Sequence, residues 1–234
     1  MQKENLKKHG FTLAEILITL TVIGVVAALT IPTLLQNTNQ AELKTALKRD
    51  FADLSQATEM IKIDAGGSLV NAFKNGAGGD LDDENLKNAY KSKLSIIKDC
   101  SGPSNMGGSG QGAKIDGCWH ADNNWKYLNG TLLTTLQYPG LILSNGTLML
   151  LGINKSDCTY PAASYTKCGA ISFDVNGFKP PNMYGKDIFQ VNITADSLIP
   201  TGAKGYCDPA SDCDLSNISG INQGRGCTAR YLYE

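Results

Sequence analysis

Residues 7–35 read KKHGFTLAEILITLTVIGVVAALTIPTLL, and the placement of charge in this stretch decides how the rest of the chain is organised. A basic leader with Lys3, Lys7 and Lys8 ends at Gly10. An almost unbroken apolar run then starts at Phe11, and its only charge is Glu15. As a helix, residues 11–35 span about 37 Å at 1.5 Å per residue, enough for a hydrocarbon core about 30 Å thick. The run is longer than the roughly 7–15 apolar residues of a secretory signal. The flanking lysines put the N-terminus in the cytoplasm and the bulk of the chain outside it. A carboxylate deep in lipid costs roughly 2.5–3.5 kcal/mol on insertion scales, so Glu15 needs a partner or a function. The bland alternative is that it snorkels to the interface, for which a Glu side chain is short.

Beyond Pro32 the pattern changes. Leu43, Leu47, Phe51, Leu54 and Ile61 recur at helical spacing, with Lys44, Lys48, Arg49, Asp50 and Asp53 between them. This is an amphipathic helix with one apolar stripe, and Ala65-Gly66-Gly67 marks its end. A single helix over residues 11–64 would be roughly 80 Å long. Gly24 and Pro32 predict a gentle kink in it. The expected organisation is a leader (1–10), a transmembrane helix (11–35), an amphipathic helix (36–65) and an extracytoplasmic head (66–234).

The chain has 234 residues and a net charge of −1. Without residues 1–10 (three Lys, one Glu) the balance is −3, so nothing points to a nucleic-acid partner. Nearly all of the 25 glycines follow residue 65, which suggests a turn-rich β head. Segments 131–137, 140–143, 147–153, 170–175 and 188–194 are candidate strands, with Asn145-Gly146 as a hairpin turn. Four or so of them should form an antiparallel sheet against the amphipathic helix. Residues 81–90 predict a short helix whose Asp82, Asp83 and Glu84 form a solvated start rather than a cation site. The Gly/Ser-rich segment 102–112 reads as a flexible connection.

All seven cysteines lie between Cys100 and Cys227, which fits an oxidising compartment. Proximity suggests the pairs Cys100/Cys118, Cys158/Cys168 and Cys207/Cys213, leaving Cys227 over, although spacing does not fix connectivity. Cys118-Trp119-His120 invites a nucleophile or zinc reading, but a disulfide is the simpler role for Cys118. Trp119, Trp125 and Tyr127 suit either a core or an adhesive face. The sequence contains no Ser/His/Asp set and no nucleotide-binding glycine fingerprint, so an enzyme is not expected.

Lys7-Lys8-His9-Gly10-Phe11-Thr12-Leu13-Ala14-Glu15 closely resembles the processing site of type IV pilins and type II secretion pseudopilins. The resemblance covers about the first 30 residues. It implies a prepilin peptidase that cuts between Gly10 and Phe11 and methylates the new amine of Phe11. It also makes Glu15 the acidic residue of the assembly helix, with Gly24 and Pro32 as helix-softening positions. Cleavage would create a cation about 6 Å along the axis from Glu15, and a paired buried charge is tolerable. The implied fold is α+β and pilin-like: a long N-terminal helix, transmembrane then amphipathic, packed on an antiparallel head sheet.

Residues 174–189 (DVNGFKPPNMYGKDIF) are similar to a D-x-N-G…P-N-x-x-G-x-D-x-F segment of pilin-like bacterial proteins. Asp174, Asn176, Asn182 and Asp187 could present oxygen ligands to Ca²⁺, but Asx turns account for the same residues and are preferred. No cofactor is required. The expected function is a prepilin-like structural subunit of a type IV pilus or type II secretion pseudopilus, with a minor-subunit role as the finer reading. The alternative is a membrane-anchored extracellular binding module that does not polymerise. Expected partners are the prepilin peptidase, other pilin or pseudopilin subunits met through the N-terminal helix, and inner-membrane lipid. The expected location is the bacterial inner membrane, single-pass, and then a fibre at the cell surface or in the periplasm.

Overall fold

The computed structural model describes residues 11–74, 80–100, 117–120, 125–133, 138–162, 165–203, 213 and 224–233, apart from the side chains at 33, 35–37, 80 and 81. It is α+β. Helix α1 (Leu13–Asp64) is followed by α2 (Asp80–Lys91), strands β1 (Ile96–Cys100), β2 (Gly140–Leu143), β3 (Leu148–Ile153), β4 (Tyr160–Ala162), β5 (Tyr165–Lys167), β6 (Gly169–Asp174), β7 (Ile188–Ile193) and β8 (Leu198–Pro200), and then α3 (Cys227–Tyr233). Contacts divide the chain into two units, residues 1–42 and 43–234, with the boundary inside α1.

In the first unit, Leu13–Pro32 is long and apolar enough to cross a bilayer, and none of it is buried. Its threonines do not leave hydroxyls unpaired. Thr19, Thr21 and Thr30 donate to the carbonyls of Glu15, Leu17 and Val26 one turn back, at 2.7–2.9 Å.

The second unit is built on a six-stranded antiparallel sheet in the order β1-β2-β3-β6-β7-β8. Alternation along the strands sends Leu141, Met149, Leu151, Ile171, Phe173 and Val191 to one face. There they meet Leu47, Leu54, Ala57 and Ile61 of α1 and Leu86 and Tyr90 of α2. The opposite face carries Ile142, Leu148, Leu150 and Ile188, covered by Trp119, Trp125 and Tyr184. Because both faces are covered, β2 is buried throughout and β3 in all but its last residue.

Helix α1 stops where the Ala-Gly-Gly signal predicts. Gly67 N donates to Lys62 O (2.8 Å) and Gly66 N to Ile63 O (3.1 Å), with Gly66 at φ +86°. This is a Schellman end, which satisfies carbonyls that the last turn would otherwise leave open. The Asn145-Gly146 turn joins β2 to β3, with Gly146 at φ +90° and Asn145 Oδ1 accepting Thr147 N at 3.0 Å.

Several expectations need correction. Within 131–137, the described residues 131–133 form only an isolated bridge (Lys126 with Leu132), and 134–137 lie outside the described residues, as does 102–112. The sheet gains β1 and β8, and β4 and β5 form a separate two-stranded sheet. β1 escapes pattern reading because it is an edge strand, exposed over Ile97–Asp99 and bulged between Ile96 and Lys98. The start of α2 is not solvated. Asp82 and Asp83 are buried, accepting from Ser156 Oγ and from Ile153 N (2.5 Å) respectively, so the acidic cluster docks the helix on the chain after β3.

The disulfides are Cys100–Cys118, Cys158–Cys168 and Cys213–Cys227. Cys213 therefore pairs with Cys227 and not with Cys207. The start of α3 is brought against Cys213 by the fold, with a Cα separation of 4.8 Å, and nearness in sequence gave no hint of it. These three bonds take every cysteine except Cys207, which lies outside the described residues.

Candidate functional site

The N-terminal end of α1 is an exposed, capped helix start. Gly10 lies outside the described residues; Phe11 is exposed and non-helical, and the helix begins at Leu13. Thr12 is its N-cap. Thr12 Oγ1 accepts from Glu15 N (3.2 Å), and Glu15 Oε2 accepts from Thr12 N (2.7 Å) and from Thr12 Oγ1 (2.8 Å). This reciprocal capping box satisfies backbone donors that a helix start cannot satisfy itself. The Glu15 carboxylate is thereby held over the first turn, on the side of Phe11. Sequence reasoning passed over Thr12, although T-x-x-E before an apolar run is the signal for this cap. Gly24 lies within α1 with nothing within 4 Å of where a Cβ would stand, and Pro32 also lies inside the helix.

In the head, the segment between β6 and β7 is organised by its carboxylates. Asp187 accepts Asn182 N at Oδ2 (2.8 Å) and Met183 N at Oδ1 (2.7 Å). Asp174 accepts Asn176 N at Oδ1 (3.1 Å), and its Oδ2 lies 2.8 Å from His120 Nε2. Both carboxylates and His120 are fully buried. Burial, and then the neighbouring Asp187 carboxylate, push Asp174 up to about 9. Burial pushes His120 down to about 4. The pair thus carries one proton across its contact through the neutral range. The Phe178 ring packs edge-on against His120 with centroids 5.6 Å apart.

These contacts bear on the calcium question. All four carboxylate oxygens of Asp174 and Asp187 already meet donors or the imidazole, while Asn182 Oδ1 and His120 Nδ1 are buried without a hydrogen-bond partner. Among the described residues no group of three or more His, Cys, Asp or Glu side chains could hold a metal ion. The carboxylates of the oxygen-rich segment are engaged in Asx-type turns in this arrangement.

His120 is likewise no partner for a thiolate, because Cys118 is bonded to Cys100 and the imidazole faces Asp174. Trp119 and Trp125 are core residues, packed edge to face at 5.4 Å. Tyr127 is half-buried and stacks on Tyr184, with the Arg225 guanidinium over both rings and donating to Tyr127 Oη at 3.0 Å. The side chain that pattern reading misplaced most clearly is Asp50. It was placed among the charged residues of α1, yet it is fully buried against the β2–β3 turn.

Comparison with known proteins finds matches at the N-terminal segment. The family model of the prokaryotic N-terminal methylation motif matches residues 5–31. The chain is 40% identical over 58 residues to the type II secretion system core protein G of Escherichia coli (strain K12), covering 25% of this chain and 39% of that protein. The protein of the same name from Pectobacterium carotovorum is 36% identical over 58 residues, 25% of this chain and 36% of its own length. That of Aeromonas hydrophila is 34% identical over 64 residues, 27% and 43% of the two chains. The chain thus spans about two fifths of the length of the curated relatives it matches, and no solved structure matches it. The capped apolar helix that opens α1 thus begins inside the segment, residues 5–31, that matches the prokaryotic N-terminal methylation motif and is similar to the N-terminal part of these secretion-system proteins.

Proposed function

We propose that this chain is a prepilin-like precursor whose mature form is a structural subunit of a type II secretion pseudopilus, the system named by its relatives, or of a type IV pilus. A prepilin peptidase cuts between Gly10 and Phe11 and methylates the new amine. Residues 11–35 hold the subunit in the inner membrane as a single pass, N-terminus cytoplasmic and head outside, until helix packing against other subunits draws it into the fibre. Glu15 provides the counter-charge for a Phe11 amine, its own or a neighbour's. Gly24 and Pro32 let the helix adjust on assembly.

The observation that carries this reading is the coincidence of the methylation motif over residues 5–31 with an unburied, capped apolar helix beginning at Leu13. In this reading the head is structural and not catalytic, and its large turn-rich, disulfide-bonded sheet suits a minor subunit. Intact mass and N-terminal sequencing of protein from native membranes test the processing step: the expected product begins at Phe11 and carries one extra methyl. A product that keeps Met1 in cells with an active peptidase overturns it. Glu15→Ala, cleaved but absent from sheared fibres, is the expected assembly phenotype. Normal function of that variant would favour the anchored, non-polymerising module.

A further inference from the structure

Between residues 43 and 64, helix α1 buries six side chains: Leu47, Asp50, Leu54, Ala57, Thr58 and Ile61. Four are apolar and two are polar. The apolar ones specify that the helix packs, but they specify poorly where it packs. Leu47, Leu54 and Ile61 are seven residues apart, so sliding the helix two turns, about 10 Å, sets one branched aliphatic in the place of another on nearly the same face. The facing wall of Leu141, Leu143, Met149, Leu151, Ile171 and Phe173 is itself apolar and tolerant of such an exchange.

Asp50 and Thr58 remove that degeneracy. Asp50 Oδ2 accepts from Thr147 Oγ1 (2.6 Å) and Oδ1 from Asn145 Nδ2 (3.0 Å), both at the β2–β3 turn, and Arg49 closes the contact from the outside (Nε to Oδ1, 2.9 Å). Thr58 Oγ1 lies 2.5 Å from the Tyr90 hydroxyl of α2, and both residues are buried. One contact keys α1 to the sheet and the other keys it to the second helix. Seven residues from Asp50 stand Leu43 and Ala57; seven before Thr58 stands Phe51. None of these could satisfy Thr147, Asn145 or the Tyr90 hydroxyl, so a slipped helix would leave buried polar groups unpaired.

We propose that Asp50 and Thr58 form a register lock: two buried polar contacts that fix the height at which residues 43–64 seat on the sheet, as a single buried polar residue fixes register in a coiled coil. The inference concerns the head alone and stands whether or not the chain assembles into a fibre.

The test uses the full chain in detergent, labelled with ¹³C-methyl methionine. Met60 reports from α1, Met149 from the shared core and Met183 from the separate cluster around Cys213 and Cys227. The double variant Asp50→Leu/Thr58→Val is expected to split the Met60 and Met149 signals into at least two each. Met183 and the near-ultraviolet tryptophan signal stay as in the parent. Asp50→Asn, which can still accept from Thr147, is expected to keep a single set. Single, unshifted Met60 and Met149 signals in the double variant would overturn the lock. So would joint loss of the Met183 and tryptophan signals, since the contacts would then hold the fold as a whole rather than its register.

Discussion

Residues 13–32 and 43–64 belong to one helix and satisfy their side chains in opposite ways. The first stretch is apolar nearly all round, Glu15 being its only charge, buries nothing within the chain, and settles its hydroxyls on its own carbonyls. The second is apolar on one stripe, buries that stripe on a sheet, and sets two polar side chains against particular partners. A uniform apolar surface specifies no single partner. A surface that must meet one sheet gains from polar interruptions, because an unpaired buried group is costly in every other arrangement.

The largest expected difference between the two stretches is in stability. Leu54→Ala should cost the head about 2–5 kcal/mol, the usual range for a buried Leu→Ala truncation, whereas Leu29→Ala should leave head unfolding unchanged. Denaturant titration of the full chain in detergent, followed by near-ultraviolet dichroism, measures both; equal losses would erase the distinction. Cys227→Ser should come next, at about 3 kcal/mol for opening a loop of this size.

The His120–Asp174 pair sharpens the contrast through pH, since the described part of the first unit offers no buried titrating pair. Asp174 is raised to about 9 and His120 lowered to about 4. Between about pH 4 and 6.5 the folded and unfolded states each hold one proton on these two groups, so their contribution is flat. Between about 6.5 and 9 the folded pair keeps a proton that the unfolded chain has released, so stability falls as pH rises. Urea midpoints across pH 5–9 should show that decline in the parent and lose it in Asp174→Asn; a midpoint that rises with pH would refute the assignment. The smallest effect belongs to the cap. Thr12→Ala should weaken the first turn of α1 by about 1 kcal/mol, speeding amide exchange at residues 13–15 with no change in head unfolding.

Much of this division was legible in the sequence. The apolar run, the change of pattern after Pro32, the Ala-Gly-Gly stop and the Asn-Gly hairpin all rest on local chemistry, and the backbone follows them. What was not legible depends on partners distant in the chain. Asp50 looks like any surface charge until Thr147 is brought to it. Cys227 looks spare until α3 meets Cys213. The Asp82-Asp83 pair looks solvated until Ser156 and the amide of Ile153 arrive. β1 and β8 are short edge strands without alternation to mark them. At the N-terminus the motif is contiguous and therefore readable in the sequence, and the capping role of Thr12 is written there too, in the T-x-x-E spacing before the apolar run.

The far end of the chain completes the interior. Gly224, Cys227, Thr228 and Ala229 are buried, the Ala229 amide donates to Thr201 O, and a Cβ on Gly202 would fall 2.0 Å from Gly226 O. During synthesis the apolar helix leaves the ribosome well before this stretch does. The head therefore stays unfinished until translation of residues 224–233 delivers its closing piece.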